Sequence, residues 1–138
     1  MMLGIGVQVA TPKGYELPDE VVEQAAAVSQ QGAGLTEFTD PKAAVRDVDA
    51  IYTDVWTSMG QEVEYADRKK TFRRYQVNEA MMALAKPTAL FMHCLPAHRG
   101  EEVSDEVIES KVSVVFDQAE NRLHAQKALL VQMLADAP

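Results

Sequence analysis

The chain has 138 residues, a 47% apolar composition, one cysteine and a formal net charge of −8, which fits one globular domain with a buried core. The acidic balance argues against non-specific nucleic-acid binding and against an anionic membrane surface, and no apolar run approaches the about 18 residues of a membrane span. The N-terminal MMLGIGVQVA shows neither a basic n-region nor a cleavage site, and a single cysteine closes no internal disulfide, which fits a reducing cytoplasm.

Short apolar runs alternate with helical patterns. Ile5 to Ala10 reads as a strand, closed by Thr11-Pro12-Lys13-Gly14. Pro18 to Gln31 reads as a helix. Pro18 suits its first turn, Asp19 and Glu20 favour its dipole, and Val21, Val22, Ala25 and Val28 form one face. Gly32 and Gly34 end it. Leu35 to Thr39 is a second strand, and Asp40-Pro41 opens a short helix through Arg46 with Asp40 as its cap. Ala50 to Val55 is a third strand. Glu62 to Phe72 has the pattern of a polar, exposed helix, and Asn78 to Ala85 that of a short apolar one. Ala89 to Cys94 is a fourth strand between Pro87 and Pro96. Asp105 to Glu109 is a helical turn, Val112 to Phe116 a fifth strand, and Ala119 to Ala135 a long closing helix. This alternation predicts an α/β fold: a three-layer, Rossmann-like domain whose mainly parallel sheet of about five strands is flanked by helices. Ligands of such sheets bind beyond the carboxyl ends of the strands. The loops that matter are therefore Thr11–Gly14, Asp54–Gln61, His93–Glu102 and Asp117–Arg122.

These loops hold the chemically capable residues. In DVWTSMGQE, Asp54 follows the third strand, and Ser58, Met59 and Gly60 come four residues later. A carboxylate binds an ammonium, while a hydroxyl and free N–H groups bind a carboxylate, so the set suits an α-amino acid. Asp54 and Ser58 equally suit capping of the next helix. In HCLPAHRGEE, Cys94 lies among His93, Pro96, His98 and Arg99. Cationic neighbours lower a thiol pKa, although a lone cysteine is commonly core filler. Zinc on His93, Cys94 and His98 is disfavoured, because alternate residues of a strand end point apart and no CxxC accompanies them. Arg122 is expected at the start of the closing helix, where a guanidinium and free N–H groups suit a phosphate or carboxylate; a surface pair with Glu120 or Asp117 is the plainer reading. Met81 and Met82 read as core. Arg68-Lys69-Lys70 and Arg73-Arg74 read as a solvated helix face.

Together the loops resemble the ornithine carbamoyltransferase family. The resemblance rests on Asp54-Val55-Trp56-Thr57-Ser58-Met59-Gly60, His93-Cys94-Leu95-Pro96 and Glu120-Asn121-Arg122, with ATPKGYE, YQVN and FMHCLPAHRGEEV beside them. It runs from about Leu3 to about Leu134. The HCLP motif recurs among carbamoyltransferases acting on other amines, and the SMG loop narrows the match to ornithine. The resemblance implies transfer of the carbamoyl group of carbamoyl phosphate to the δ-amine of ornithine, giving citrulline and phosphate, without metal or organic cofactor. It implies that Asp54 and Ser58 hold the ornithine α-amino group, with Met59 helping through its backbone. Cys94 would contact the δ-amine and carbamoyl group as a polar neighbour, not as a covalent nucleophile. Leu95 would offer its carbonyl to the carbamoyl amide, and Arg122 would reach carbamoyl phosphate. For this chain the resemblance implies a cytoplasmic location, a homotrimeric parent assembly and a place in arginine metabolism, with neither nucleic acid nor membrane as partner.

The resemblance also implies what is missing. The family's Ser-x-Arg-Thr-Arg phosphate loop, His-Pro-x-Gln segment and Gly-Asp-x-x-Asn loop do not occur in this sequence. Residues 1–138 are thus expected to form the ornithine-binding domain without its first strand and most of its first helix, and without the carbamoyl-phosphate domain. Such a chain is expected to be inactive alone and to self-associate through an open sheet edge. The competing readings are a non-catalytic amino-acid-binding module, a purely structural fragment, and a related carbamoyltransferase acting on another amine.

Overall fold

The computed structural model of the chain describes residues 1–57, 60 and 62–135. Strand β1 (Val7–Ala10) leads to helix α1 (Asp19–Ala27), β2 (Leu35–Phe38), α2 (Pro41–Ala44) and β3 (Ala50–Thr53). A 3-10 turn at Glu62–Glu64 runs into α3 (Tyr65–Phe72), and another follows at Arg73–Tyr75. Then come α4 (Glu79–Met82), β4 (Leu90–His93), α5 (Asp105–Ile108) and the 21-residue α6 (Val115–Ala135).

Local chemistry accounts for several boundaries. Asp40 caps α2 by accepting the Lys42 N–H, and Pro41 occupies the first turn, where its missing donor costs nothing. Asn78 caps α4 by accepting the Met81 N–H at 3.0 Å. Helix α1 starts after Pro18 with Asp19 and Glu20 in its first turn, and none of its residues is buried.

The strands are parallel, as the βα alternation requires, but they form two separate pairs. β1 runs beside β2, with Val7 opposite Leu35 and Ala10 opposite Phe38. β3 runs beside β4, with Ala50 opposite Leu90 and Thr53 opposite His93. The single five-stranded sheet expected from the sequence is therefore not what the described residues form. The expected fifth strand, Val112 to Phe116, is the clearest departure. Only Ser113 reaches a ladder position, opposite Phe91, through Phe91 N–H to the Val112 carbonyl (2.8 Å) and Val114 N–H to the Phe91 carbonyl (3.0 Å). From Val115 the chain is already helical, and Gln118 N–H bonds back to the Val114 carbonyl at 2.8 Å. The valine-rich run has strand propensity, but packing decides its fate: one bridge is all that β4 offers it.

The core is lopsided. Ile51, Val77, Ala85, Ala89, Phe91, Val103, Val107, Ile108 and Val115 form one buried cluster around the β3–β4 pair. No residue of β1, α1 or β2 is fully buried. The two halves are tied together at the carboxyl ends of the strands. Phe72 of α3 meets Tyr15, which follows β1, edge-on at 4.9 Å, and lies 6.3 Å from Trp56, which follows β3. Arg68 covers the Tyr15 ring at 5.2 Å. Tyr75 hydroxyl and Arg74 both donate to the Thr39 carbonyl beyond β2, at 2.6 and 3.0 Å. Arg68 and Arg74 are thus committed to loop-to-loop contacts, a more specific role than a solvated face.

Among the described residues no helix is long and apolar enough to cross a membrane, and β1, β2 and β3 each keep one edge without a paired strand. Open edges template association. The chain should therefore self-associate at high concentration in light scattering, and a monodisperse monomer would contradict that. Phe91 is fully buried at the centre of the core. Phe91→Ala should cost about 3–5 kcal/mol in urea denaturation; a loss below about 1 kcal/mol would place the core elsewhere.

Candidate functional site

The register of β3 and β4 builds the site. Thr53 and His93 are Cα partners at the carboxyl ends of the two strands, so the residues that follow, Asp54 and Cys94, leave the pair side by side. The Cys94 thiol donates to Asp54 Oδ1 at 3.0 Å. The same oxygen accepts the Val55 N–H at 2.7 Å. Tyr52, one strand residue earlier, lies at the same opening. An open cavity of about 330 Å³ there is lined by Tyr52, Cys94, Gln118, Ala119 and Arg122. A larger hollow of about 450 Å³ lies between α4, α5 and Pro87. The smaller cavity is the candidate site, because it lies at the strand ends and carries the thiol, the phenol and the guanidinium.

The electrostatics run against a reactive thiol. Burial raises the Cys94 pKa above its ordinary value, and the Asp54 carboxylate at the thiol raises it further; the Tyr52 hydroxyl opposes them. Burial likewise raises the Tyr52 pKa, with the thiol adding to it. The cationic surroundings expected from the sequence do not reach the sulfur. The imidazole of His93 turns into the core. His98 faces Glu101 at 4.0 Å. Arg99 is spent on Asp105, at 3.0 Å, and on Glu109. The thiol stays protonated near neutrality, which makes it a hydrogen-bond donor and a poor nucleophile.

His93 carries the feature that sequence reasoning missed. Its Nδ1 accepts the Leu95 N–H at 2.8 Å, so the ring proton sits on Nε2 and is donated to Glu102 Oε1 at 3.1 Å. The same carboxylate oxygen accepts the His98 N–H at 2.6 Å. Both side chains are fully buried. Leu95 adopts the left-handed region, φ 53°, and its bond to Pro96 is cis. Nothing in the sequence spacing signals the pair; the only hint is that alternation along β4 sends His93 and Cys94 to opposite faces. That alternation also dismantles the zinc reading of His93, Cys94 and His98. The donor atoms of His98, Glu101 and Glu102 do lie within 4.8 Å of one another. Lys69 at 2.9 Å and the Tyr65 hydroxyl already engage Glu101, so the cluster is an ion-pair network.

Arg122 reaches the cavity from a different place than expected. Helix α6 begins at Val115, so Arg122 sits two turns inside it, where backbone N–H groups are spent on the helix. Residues 117–122 are helix and not loop. Arg122 therefore offers its guanidinium alone, without helix-terminal donors. Among the described residues it has no ion-pair partner, and Glu120 pairs instead with His124 at 3.3 Å. Ser58 and Met59 lie outside the described residues. Gly60 has φ 90°, a conformation that favours glycine and suits the tight turn expected there.

A family model described as "Aspartate/ornithine carbamoyltransferase, Asp/Orn binding domain" matches residues 1–133. The chain is 56% identical over 133 residues to the anabolic ornithine carbamoyltransferase of Pyrococcus furiosus, covering 96% of this chain and 42% of that protein. It is 53% identical over 132 residues to the ornithine carbamoyltransferase of Halalkalibacterium halodurans, covering 95% of this chain and 41% of that one. The solved structure of the Pyrococcus furiosus enzyme superposes with a TM-score of 0.91 at 53% identity, over 99% of this chain and 44% of the other. The chain thus spans less than half the length of the relatives it matches.

Removing the anion beside the sulfur should ease its ionisation. Asp54→Asn is expected to move the Cys94 titration, followed by ultraviolet thiolate absorbance, to lower pH. The sign for stability is fixed as well. A folded-state pKa raised above the unfolded value contributes stability present below the unfolded value, and lost as pH rises through the folded one. The variant should lose less stability across that alkaline window. An unchanged titration would show that Asp54 does not set the state of the thiol.

Proposed function

The chain belongs to the aspartate/ornithine carbamoyltransferase family, and from that premise we propose that it is the ornithine-binding part of an ornithine carbamoyltransferase. The observation that carries the reading is the Asp54–Cys94 contact at 3.0 Å, at the mouth of a cavity that Arg122 also lines. A carboxylate at a strand end is what an ammonium ligand needs. A thiol held protonated beside it suits a polar contact and not a covalent intermediate.

In this reading Asp54 and Ser58 hold the α-amino group of ornithine, with the backbone of Met59. Cys94 and the carbonyl of Leu95 face the δ-amine and carbamoyl group. Arg122 meets the phosphate of carbamoyl phosphate. The δ-amine nitrogen attacks the carbamoyl carbon, the bond from that carbon to the phosphate oxygen breaks, and citrulline and phosphate leave. The amine, with an ordinary pKa of about 10, must first give up a proton. Asp54 is the acceptor at hand, directly or through the thiol it already binds. Positioning of the two substrates and charge stabilisation of the departing phosphate lower the rest of the barrier. No cofactor enters. The parent assembly is a cytoplasmic homotrimer.

Only the ornithine side of the reaction is provided by these residues, and the phosphate needs donors beyond Arg122. The purified chain should therefore form no citrulline from ornithine and carbamoyl phosphate; turnover, with any full-length enzyme excluded, would refute the division of labour. Calorimetric titration of L-ornithine should give weak binding, with a Kd of about 1 mM or above, a binding free energy no more favourable than about −4 kcal/mol. Asp54→Asn should abolish it. Binding that survives Asp54→Asn unchanged would overturn the assignment.

A further inference from the structure

The loop that carries Cys94 and Leu95 is clamped from beneath by a buried pair. His93 and Glu102 are both 0% exposed. The imidazole takes the Leu95 N–H on one nitrogen and gives the proton of the other to Glu102 Oε1, which also binds the His98 N–H. The backbone N–H of His93 is held in turn by Gln118 Oε1 at 3.1 Å. Glu102 Oε2 has no hydrogen-bond partner among the described residues. Burying a carboxylate is costly, and the left-handed region is unfavourable for a leucine. Core packing needs neither. The clamp spans His93 to His98, and the residues inside it are Cys94, Leu95, Pro96 and Ala97.

We propose that His93 and Glu102 are positioning residues for the amine and carbamoyl pocket: the buried imidazole–carboxylate clamp fixes the backbone of Cys94 and Leu95 and so seats the thiol against Asp54. The proposal rests on the reading of that pocket as the ornithine site, and it assigns to the two residues no contact with substrate. Their effect passes through the loop. The groups that act on the sulfur are Asp54 and Tyr52 from the β3 side, while Arg122 of α6 lines the same cavity, so a displaced loop changes what the thiol feels.

Two isosteric changes separate the two ends of the imidazole. His93→Asn places an acceptor near the Nδ1 position and can still take the Leu95 N–H. His93→Gln reaches towards Glu102 and leaves Leu95 without its acceptor. Cys94 alkylation by iodoacetamide is measured against pH in the whole chain, with thermal melts beside it. His93→Gln should move the profile to lower pH by about one unit, or about tenfold more thiolate at neutral pH. His93→Asn should stay within about threefold of the parent. Glu102→Ala should resemble His93→Gln, and Glu102→Gln, which keeps an acceptor for Nε2–H, should restore the parent profile. Identical profiles in all four folded variants would overturn the proposal and leave the pair a purely structural element. If the His93 variants do not fold, the parent ring decides: long-range proton–nitrogen correlation must show the Nε2–H form, and a proton on Nδ1 would overturn the clamp. Neither readout involves ornithine, so failure here leaves the substrate reading standing. Loss of ornithine binding with an intact clamp would instead sink that reading alone.

Discussion

The parallel register of β3 with β4 is the constraint on which the rest depends. Four residue pairs, from Ala50 with Leu90 to Thr53 with His93, set the strands level. A register shifted by one residue would send Cys94 to the buried side and His93 to the crevice, because side chains alternate along a strand. As built, one step of β4 delivers an imidazole to the core and the next a thiol to the opening. Asp54 arrives level with that thiol because its strand ends at the same height. The Asp54–Cys94 contact is thus a product of backbone pairing, and the chemistry at the crevice inherits its precision from the sheet.

The distribution of buried surface gives the same half of the molecule a second role. The apolar cluster surrounds β3, β4, α4 and α5, and it encloses Phe91, Val103 and Val115 completely. The β1–α1–β2 half contributes nothing to it. That half is held through aromatic and guanidinium contacts among the loops, from Tyr15 through Phe72 to Trp56, and through Tyr75 to Thr39. Loop-borne contacts of this kind bury less apolar area than a core and stabilise correspondingly less. Helix α6 is a further asymmetry. Beyond Gln118 all its described residues are exposed, including Leu123, Leu130 and Leu134. The crevice is therefore anchored on its β3–β4 side and only loosely framed elsewhere.

Much of this was legible in the sequence because it follows from local rules. The βα alternation gave the parallel pairing, Asp40 announced its cap, and the motifs at Asp54 and His93 marked the ends of β3 and β4. The failures were all tertiary. Val112 to Phe116 has the composition of a strand, but β4 pairs with a single residue of it. Arg122 was expected at a helix start, yet the helix begins seven residues earlier. The cations around Cys94 looked capable of activating it, but Arg99 is engaged by Asp105 and Glu109, and His93 faces away. The His93–Glu102 pair joins residues nine apart that no periodicity connects. Counting charges near a thiol in the sequence says little until the direction of each side chain is known.

The proposed function requires that the level ends of β3 and β4 form a single amine-binding pocket. Titrating isotope-labelled chain with L-ornithine and following backbone amide shifts tests it most directly. Concentration-dependent shifts are expected to concentrate at Thr53 to Trp56, at His93 to Leu95 and at Gln118 to Arg122. Shifts that saturate instead around the hollow between α4 and α5, with those three segments unmoved, would contradict it.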